Sequence, residues 1–98
     1  MNIKDMEQNA EQAAGFLKGL ANAHRLLILC QLSEGEKSVT ELITVTGLAQ
    51  TSMSQHLSKL KDENIVTFRR DHRTLYYRID NEAVLSIMAV MYEHFCKR

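Results

Sequence analysis

Residues 38–60, SVTELITVTGLAQTSMSQHLSKL, carry the most informative pattern in this chain. Ser38 and Glu41 have the serine-x-x-glutamate spacing of a capping box, which satisfies backbone N–H groups at the start of a helix. We expect this short helix to end at Gly47. After a turn, residues 51–63 return to helical periodicity. The pattern therefore predicts two helices joined by a tight turn, which is the plan of a helix-turn-helix.

Two further helices are predicted before this stretch. Residues 5–20 place apolar side chains at three- and four-residue steps, the period of an amphipathic helix. Residues 22–33 are apolar on nearly all sides, so the second helix should be buried, with Asn22 as its N-cap. We expect a polar loop over residues 33–37 and a turn over residues 48–50.

The period of the sequence changes after residue 63. Two short segments rich in β-forming residues, Ile65–Arg70 and Thr74–Ile79, are joined by residues 71–73 and predict a β-hairpin. Residues 81–96 return to helical periodicity with one broad apolar face. The predicted fold is mainly α with a β-hairpin wing, a winged helix-turn-helix, in which residues 1–98 form a single domain.

The charges of the chain balance, but they are unevenly placed. The sequence has 98 residues, with 12 Lys and Arg against 12 Asp and Glu. Residues 51–78 nevertheless hold six basic and three acidic side chains, a local charge of +3. Formal neutrality excludes a uniformly basic coat, and the local excess indicates a limited footprint on a polyanion.

The polar side of the predicted helix 51–63 supplies the candidate base-reading residues. Glutamine suits paired hydrogen bonds to adenine, while lysine and the arginines of the hairpin suit phosphates and the flanking minor groove. A solvated polar face, with arginines that keep a sheet edge soluble, is the alternative. The candidate DNA-binding residues are Gln50, Thr51, Ser52, Ser54, Gln55, His56, Lys59, Lys61, Arg69, Arg70 and Arg73.

Three segments together resemble the ArsR/SmtB family of bacterial repressors. Residues 20–29 (LANAHRLLIL) are similar to the family's second-helix signature, residues 38–60 to its recognition unit, and residues 73–78 (RTLYYR) to its wing. The resemblance covers roughly residues 6–98. Ala49 departs from the pattern, because the family often has a serine there that would cap the recognition helix.

The resemblance implies a homodimeric repressor that binds an inverted-repeat operator and is released by an effector. The apolar residues of the first and last predicted helices point the same way, because a domain of this size has too little interior to bury them all. These residues are Leu17, Leu20, Met88, Met91, Tyr92 and Phe95.

The metal sites of the family are poorly matched here. Arsenic- and lead-type members carry two cysteines where this chain has Ser38 and Thr40, so soft-metal binding is not supported there. The zinc-type pattern aligns with Asp80, Glu82, Glu93 and Cys96, and both of its histidines are missing. We therefore predict no metal and no cofactor, with a zinc-responsive repressor as the alternative.

Two cysteines, Cys30 and Cys96, are the stronger candidates for sensing. Their positions resemble those of the sulfide- and persulfide-responsive branch of the family, the BigR-, SqrR- and HlyU-like repressors. The resemblance implies that reactive sulfur or an oxidant links Cys30 to Cys96 through a polysulfide or disulfide bridge and releases the DNA. The alternative is that neither cysteine takes part in sensing, with Cys30 as a small core residue and Cys96 as a residue of the C-terminal tail.

Other functional classes have little support. No arrangement of cysteine, histidine and acid suggests a thiol or sulfur-transfer enzyme, although that class and a protein–protein module are alternatives. The longest apolar run, residues 26–30, is too short to span a bilayer, and residues 1–5 do not resemble a signal peptide. We predict a cytoplasmic protein that does not bind membranes.

Overall fold

The structure, a computed structural model, describes residues 2–96, with the side chain of Cys96 outside the description. The elements follow the order helix, helix, short strand, helix-turn-helix, hairpin and helix. Their bounds are α1 Ile3–Leu20, α2 Ala23–Leu32, β1 Lys37–Ser38, α3 Val39–Thr46, α4 Gln50–Asp62, β2 Val66–Asp71, β3 Thr74–Ile79 and α5 Glu82–Met91, followed by a π-helical turn at Tyr92–Cys96. This is the predicted winged helix-turn-helix.

Local capping chemistry fixes where the helices begin. The Asn22 side chain accepts a hydrogen bond from the Arg25 backbone N–H at 3.1 Å, as predicted. Ser38 and Glu41 form the complete capping box at the start of α3. Gly47 ends α3 with φ of 73°, in the left-handed region that glycine adopts without a steric cost. These short-range bonds hold α3 and α4 as a unit.

The sheet has one strand more than the sequence analysis predicted. β1 lies where the sequence predicts the end of a polar loop and the cap of α3. It pairs antiparallel with β3, so that Lys37 faces Tyr77 and Ser38 faces Tyr76. The strand order is β1-β3-β2. The prediction missed β1 because a two-residue strand carries no periodic signal and depends on a partner about forty residues away.

Smaller boundary errors have similar causes. Gln50 was predicted in the turn but is the first residue of α4, and Ile65 lies before β2, whereas Asp71 belongs to it. The α-helix predicted through residue 96 ends at Met91 and continues as a π-helical turn. Helix ends and strand ends depend on hydrogen bonds that composition alone does not specify.

One core joins the elements. The apolar side chains of α2, α4 and α5 pack against the sheet, and Arg25 of α2 is half-buried, 3.5 Å from the carboxylate of Glu63 at the end of α4. The prediction that Leu20 and Met88 would be left exposed in a monomer was wrong, because both face inward and are buried within the chain. The core residues are Leu20, Ile28, Leu29, Cys30, Leu32, Leu42, Met53, Leu57, Leu60, Ile65, Val66, Tyr77, Ile79, Val84 and Met88.

Candidate nucleic-acid interface

Helix α4 presents its polar side to solvent. Met53, Leu57 and Leu60 are buried beneath it and fix the rotation of the helix about its axis. With that side anchored in the core, the predicted base-reading residues project outward or lie at the margin. Gln50, Thr51, Ser54, Gln55, Lys59 and Lys61 are exposed, and Ser52 and His56 are half-buried.

In the part of the chain that the structure describes, no side chain caps the first turn of α4. Ala49 is the N-cap residue and makes no side-chain hydrogen bond. The backbone N–H groups at this end of α4 therefore remain available to an outside acceptor. The helix start that would face DNA is thus left open.

The wing arginines have different surroundings. Arg69 donates two hydrogen bonds to the Glu36 carboxylate, at 2.9 and 2.8 Å, and its guanidinium lies 4.5 Å from the centre of the Tyr76 ring. The hydrogen bond from Arg69 lowers the pKa of the Glu36 carboxyl. Arg70 and Arg73 are exposed at the end of the hairpin. Arg69 thus ties the wing to the loop before β1, a contact the sequence analysis did not identify.

Lys61 also contacts the wing. Its Nζ lies 5.4 Å from the centre of the Phe68 ring on β2. A lysine over an aromatic face is held by the ring quadrupole while its ammonium group stays hydrated. Lys61 is therefore positioned at the junction of α4 and the wing.

A cleft of about 280 Å³ brings the recognition helix and the wing together. Gln50 and Ser54 of α4 line it, facing Arg73 of the hairpin turn. Thr40, at the start of α3, lines the same cleft and was not predicted as a site residue. No short-range sequence signal relates residue 40 to residue 73, so only the folded chain shows this grouping.

A second pocket, of about 650 Å³, lies between α4 and the start of α2. Arg25 enters it from α2, with its Nη1 donating to the Gly19 carbonyl at 2.6 Å and lying 3.5 Å from the Glu63 carboxylate. Burial lowers the pKa of the His56 imidazole, and the nearby Arg25 charge lowers it further. The lining residues are Asn22, Arg25, Ser54, Gln55, His56, Ser58 and Lys59.

The cysteine and acidic candidates lie away from this face. Cys30 is buried in α2 and is disulfide-bonded. Cys96 lies at the end of the π-helical turn, and its side chain is outside the described residues. Asp80, Glu82 and Glu93 are exposed, and no three His, Cys, Asp or Glu side chains in the described part of the chain are grouped to hold a metal ion.

The fold and the outward polar helix define a winged helix-turn-helix DNA-binding protein. Residues 22–67 match the family described as "Bacterial regulatory protein, arsR family". The chain is 40% identical over 95 residues to the HTH-type transcriptional regulator YgaV of Escherichia coli, covering 96% of both chains. It belongs to the ArsR family of bacterial regulators.

Solved structures agree with this assignment. HlyU from Vibrio vulnificus CMCP6 matches with a TM-score of 0.93 and 42% identity over 98% of this chain and 100% of its own. The transcriptional repressor BigR from Xylella fastidiosa matches with a TM-score of 0.90 and 36% identity over 97% of this chain and 94% of its own. These relatives are transcriptional regulators rather than enzymes. None of the helices within residues 2–96 is long and apolar enough to cross a membrane.

Proposed function

We propose that this chain, as one domain of 98 residues, is a dimeric cytoplasmic repressor that binds an inverted-repeat operator. Support for the operator contact comes from α4, whose apolar side is locked in the core while Gln50, Ser54 and Gln55 are exposed. The exposed Arg70 and Arg73 extend the same face along the wing. Base edges would be read by α4, and flanking phosphates would be held by the lysines and arginines.

The proposed dimer joins α1 and α5 of two copies. α1 exposes Ile3, Met6 and Leu17, and the last helix and its π-helical turn expose Val90 and Phe95. Ile3 and Phe95 have exposed fractions of 72% and 79%, which is unusual for several large apolar residues on two terminal helices. Pairing about a two-fold axis would cover them and set two α4 helices toward successive major grooves.

We propose that reactive sulfur species release the operator by linking Cys30 to Cys96. The observation that carries this proposal is that Cys30 is disulfide-bonded although it lies in the apolar core. Cys96 is the other cysteine of the sequence. One solved structure of the relative HlyU from Vibrio cholerae is that of the reduced protein.

The bridge forms by two successive displacements. One thiolate attacks the outer sulfur of a hydropersulfide RSSH, forming a cysteine persulfide and releasing RS⁻. The second cysteine thiolate then attacks the inner sulfur, forming the disulfide and releasing HS⁻. The two cysteines lose two electrons and the hydropersulfide gains them. Each sulfur atom retained in a longer bridge requires a further transfer from the same reagent.

Release follows if the bridged form holds α2 and the last helix in an arrangement less suited to DNA. A coupling free energy of about 1–3 kcal/mol would weaken operator binding about 5- to 150-fold. The test is intact mass of the native protein after exposure to inorganic polysulfide, with operator binding measured on the same samples. We expect loss of two hydrogens per chain, with or without added sulfur, together with loss of binding.

The matched variants are Cys30→Ser and Cys96→Ser. Both should bind the operator as the reduced wild type does, and neither should be released by polysulfide. If Cys96→Ser is released as readily as the wild type, the switch is wrong while the operator-binding proposal stands. Release by zinc alone, with the cysteines unmodified, would favour the metal-responsive alternative.

A further inference from the structure

The pocket between α2 and α4 has an unusual donor composition. Each of its seven lining side chains carries a hydrogen-bond donor, and none is acidic. Arg25 and Lys59 are permanent cations. Two of the remaining residues, Ser54 and Gln55, also belong to the exposed polar face of α4. A pocket that combines several donors with two positive charges and no carboxylate suits a ligand that offers acceptors and negative charge.

The buried end of this pocket carries an incompletely satisfied charge. The Arg25 side chain is 12% exposed, and its only ion-pair partner among the described residues is the half-exposed Glu63, at 3.5 Å. The Arg25 Nε is buried and has no hydrogen-bond partner among the described residues. The imidazoles of His24 and His56 meet edge to face, with ring centres 5.6 Å apart, beside it. Arg25 and Lys59 therefore bring two positive charges to this pocket, against the single negative charge of Glu63 beside Arg25.

We propose that this pocket holds a phosphate of the operator backbone, so that the DNA contact extends from α4 onto the start of α2. The inference rests on the proposed operator binding. The occupant follows from the position of the pocket, because a helix seated in the major groove has backbone phosphates along its flanks. Ser58 and Lys59 bind the phosphate from α4, while Asn22 and Arg25 supply the α2 wall.

The sharpest test places a carboxylate on the α2 wall and leaves α4 unchanged. Asn22→Asp does this while keeping the helix cap, because asparagine and aspartate are equally good N-caps. Asn2→Asp is the matched control, since Asn2 is the N-cap of α1 and its side chain likewise accepts a backbone N–H. The two variants differ from the wild type by the same charge.

Operator affinity is measured from about 50 to 200 mM salt. Asn22→Asp should weaken operator binding about tenfold at the lowest salt concentration. It should also reduce the slope of log K against log salt by about one, because one phosphate contact is lost. Asn2→Asp should change neither. Equal affinity and slope for Asn22→Asp and the wild type would overturn the inference.

Two further outcomes separate the inference from neighbouring hypotheses. If the wild type shows no salt-dependent DNA binding, the proposed function itself fails. A titration with inorganic phosphate at constant ionic strength, followed by the His56 ring resonances, tests for a free anion. Tight binding of inorganic phosphate that displaces the operator would make the pocket an effector site and overturn the backbone assignment. Weak binding without displacement supports the backbone assignment.

Discussion

At the scale of single residues, Gly47 determines how α3 gives way to α4. Its φ of 73° lies in a region that costs a residue with a Cβ about 1–2 kcal/mol. Among the described residues, no side chain or distant backbone lies within 4 Å of a Cβ built there, so the cost of a larger residue comes from its own backbone conformation and not from a clash with neighbouring elements. The turn between the two helices therefore depends on the backbone freedom of one residue.

Gly47→Ala should lower the free energy of unfolding by about 1–2 kcal/mol. Gly15→Ala is the matched control, because Gly15 lies in the middle of α1 with open space around its Cβ position. Alanine should raise stability there by about 0.5–1 kcal/mol. Urea unfolding of both variants measures the two effects. Opposite signs are expected, and a stabilising Gly47→Ala would contradict the role given to this turn.

The caps show why single-residue predictions succeed in this chain. Asn22, Ser38 and Glu41 each act within three residues of their own position. Their bonds are encoded by short spacings, which a sequence displays directly. The contacts of Arg25 could not be predicted in this way, because its bonds to Gly19 and Glu63 and its place beside α4 depend on how the helices pack.

At the scale of elements, the wing is held by a contact between distant segments. Both strands of the hairpin were predicted from local pattern, whereas the Glu36–Arg69 pair joins residues 33 positions apart. Arg69 was predicted as a DNA-binding residue, and that remains a prediction. In the structure, a carboxylate occupies the donors that a phosphate would use. If Arg69 contacts the operator as predicted, Glu36 would compete with DNA for this arginine.

Glu36→Gln should tighten operator binding severalfold, because it removes a negative charge near the wing and releases the Arg69 guanidinium. Glu34→Gln is the control, since Glu34 lies in the same loop and pairs with Lys37 at 3.9 Å rather than with the wing. Fluorescence anisotropy with operator DNA measures both variants at one salt concentration. Equal effects of the two changes would indicate general charge repulsion instead of competition for Arg69.

At the scale of the whole molecule, the apolar surface of the terminal helices is the main unsatisfied feature. Leu20 and Met88 are buried within the chain, but Leu17 and Phe95 are not. The sequence pattern places all four residues on apolar helix faces. The packing of the helices determines which of them are buried and which are exposed. The residues left outside define the surface proposed for the dimer.

Leu17→Lys should raise the dimer dissociation constant about tenfold or more, since burying a leucine contributes about 1.5–3 kcal/mol. Val45→Lys is the control, because Val45 is similarly exposed but lies on α3, outside the proposed dimer surface. Sedimentation equilibrium measures both. Dissociation by Val45→Lys but not by Leu17→Lys would place the dimer contact elsewhere.

Local patterns in the sequence predicted the helices, the hairpin, the helix-turn-helix and the outward polar side of α4, because each depends on periodicity or capping over a few residues. Only the folded chain shows the third strand, the Glu36–Arg69 contact, the cleft joining Thr40 to Arg73 and the pocket joining Asn22 and Arg25 to Ser58. These features bring together residues far apart in the chain. Their partners are set by packing of the core, which no local pattern encodes.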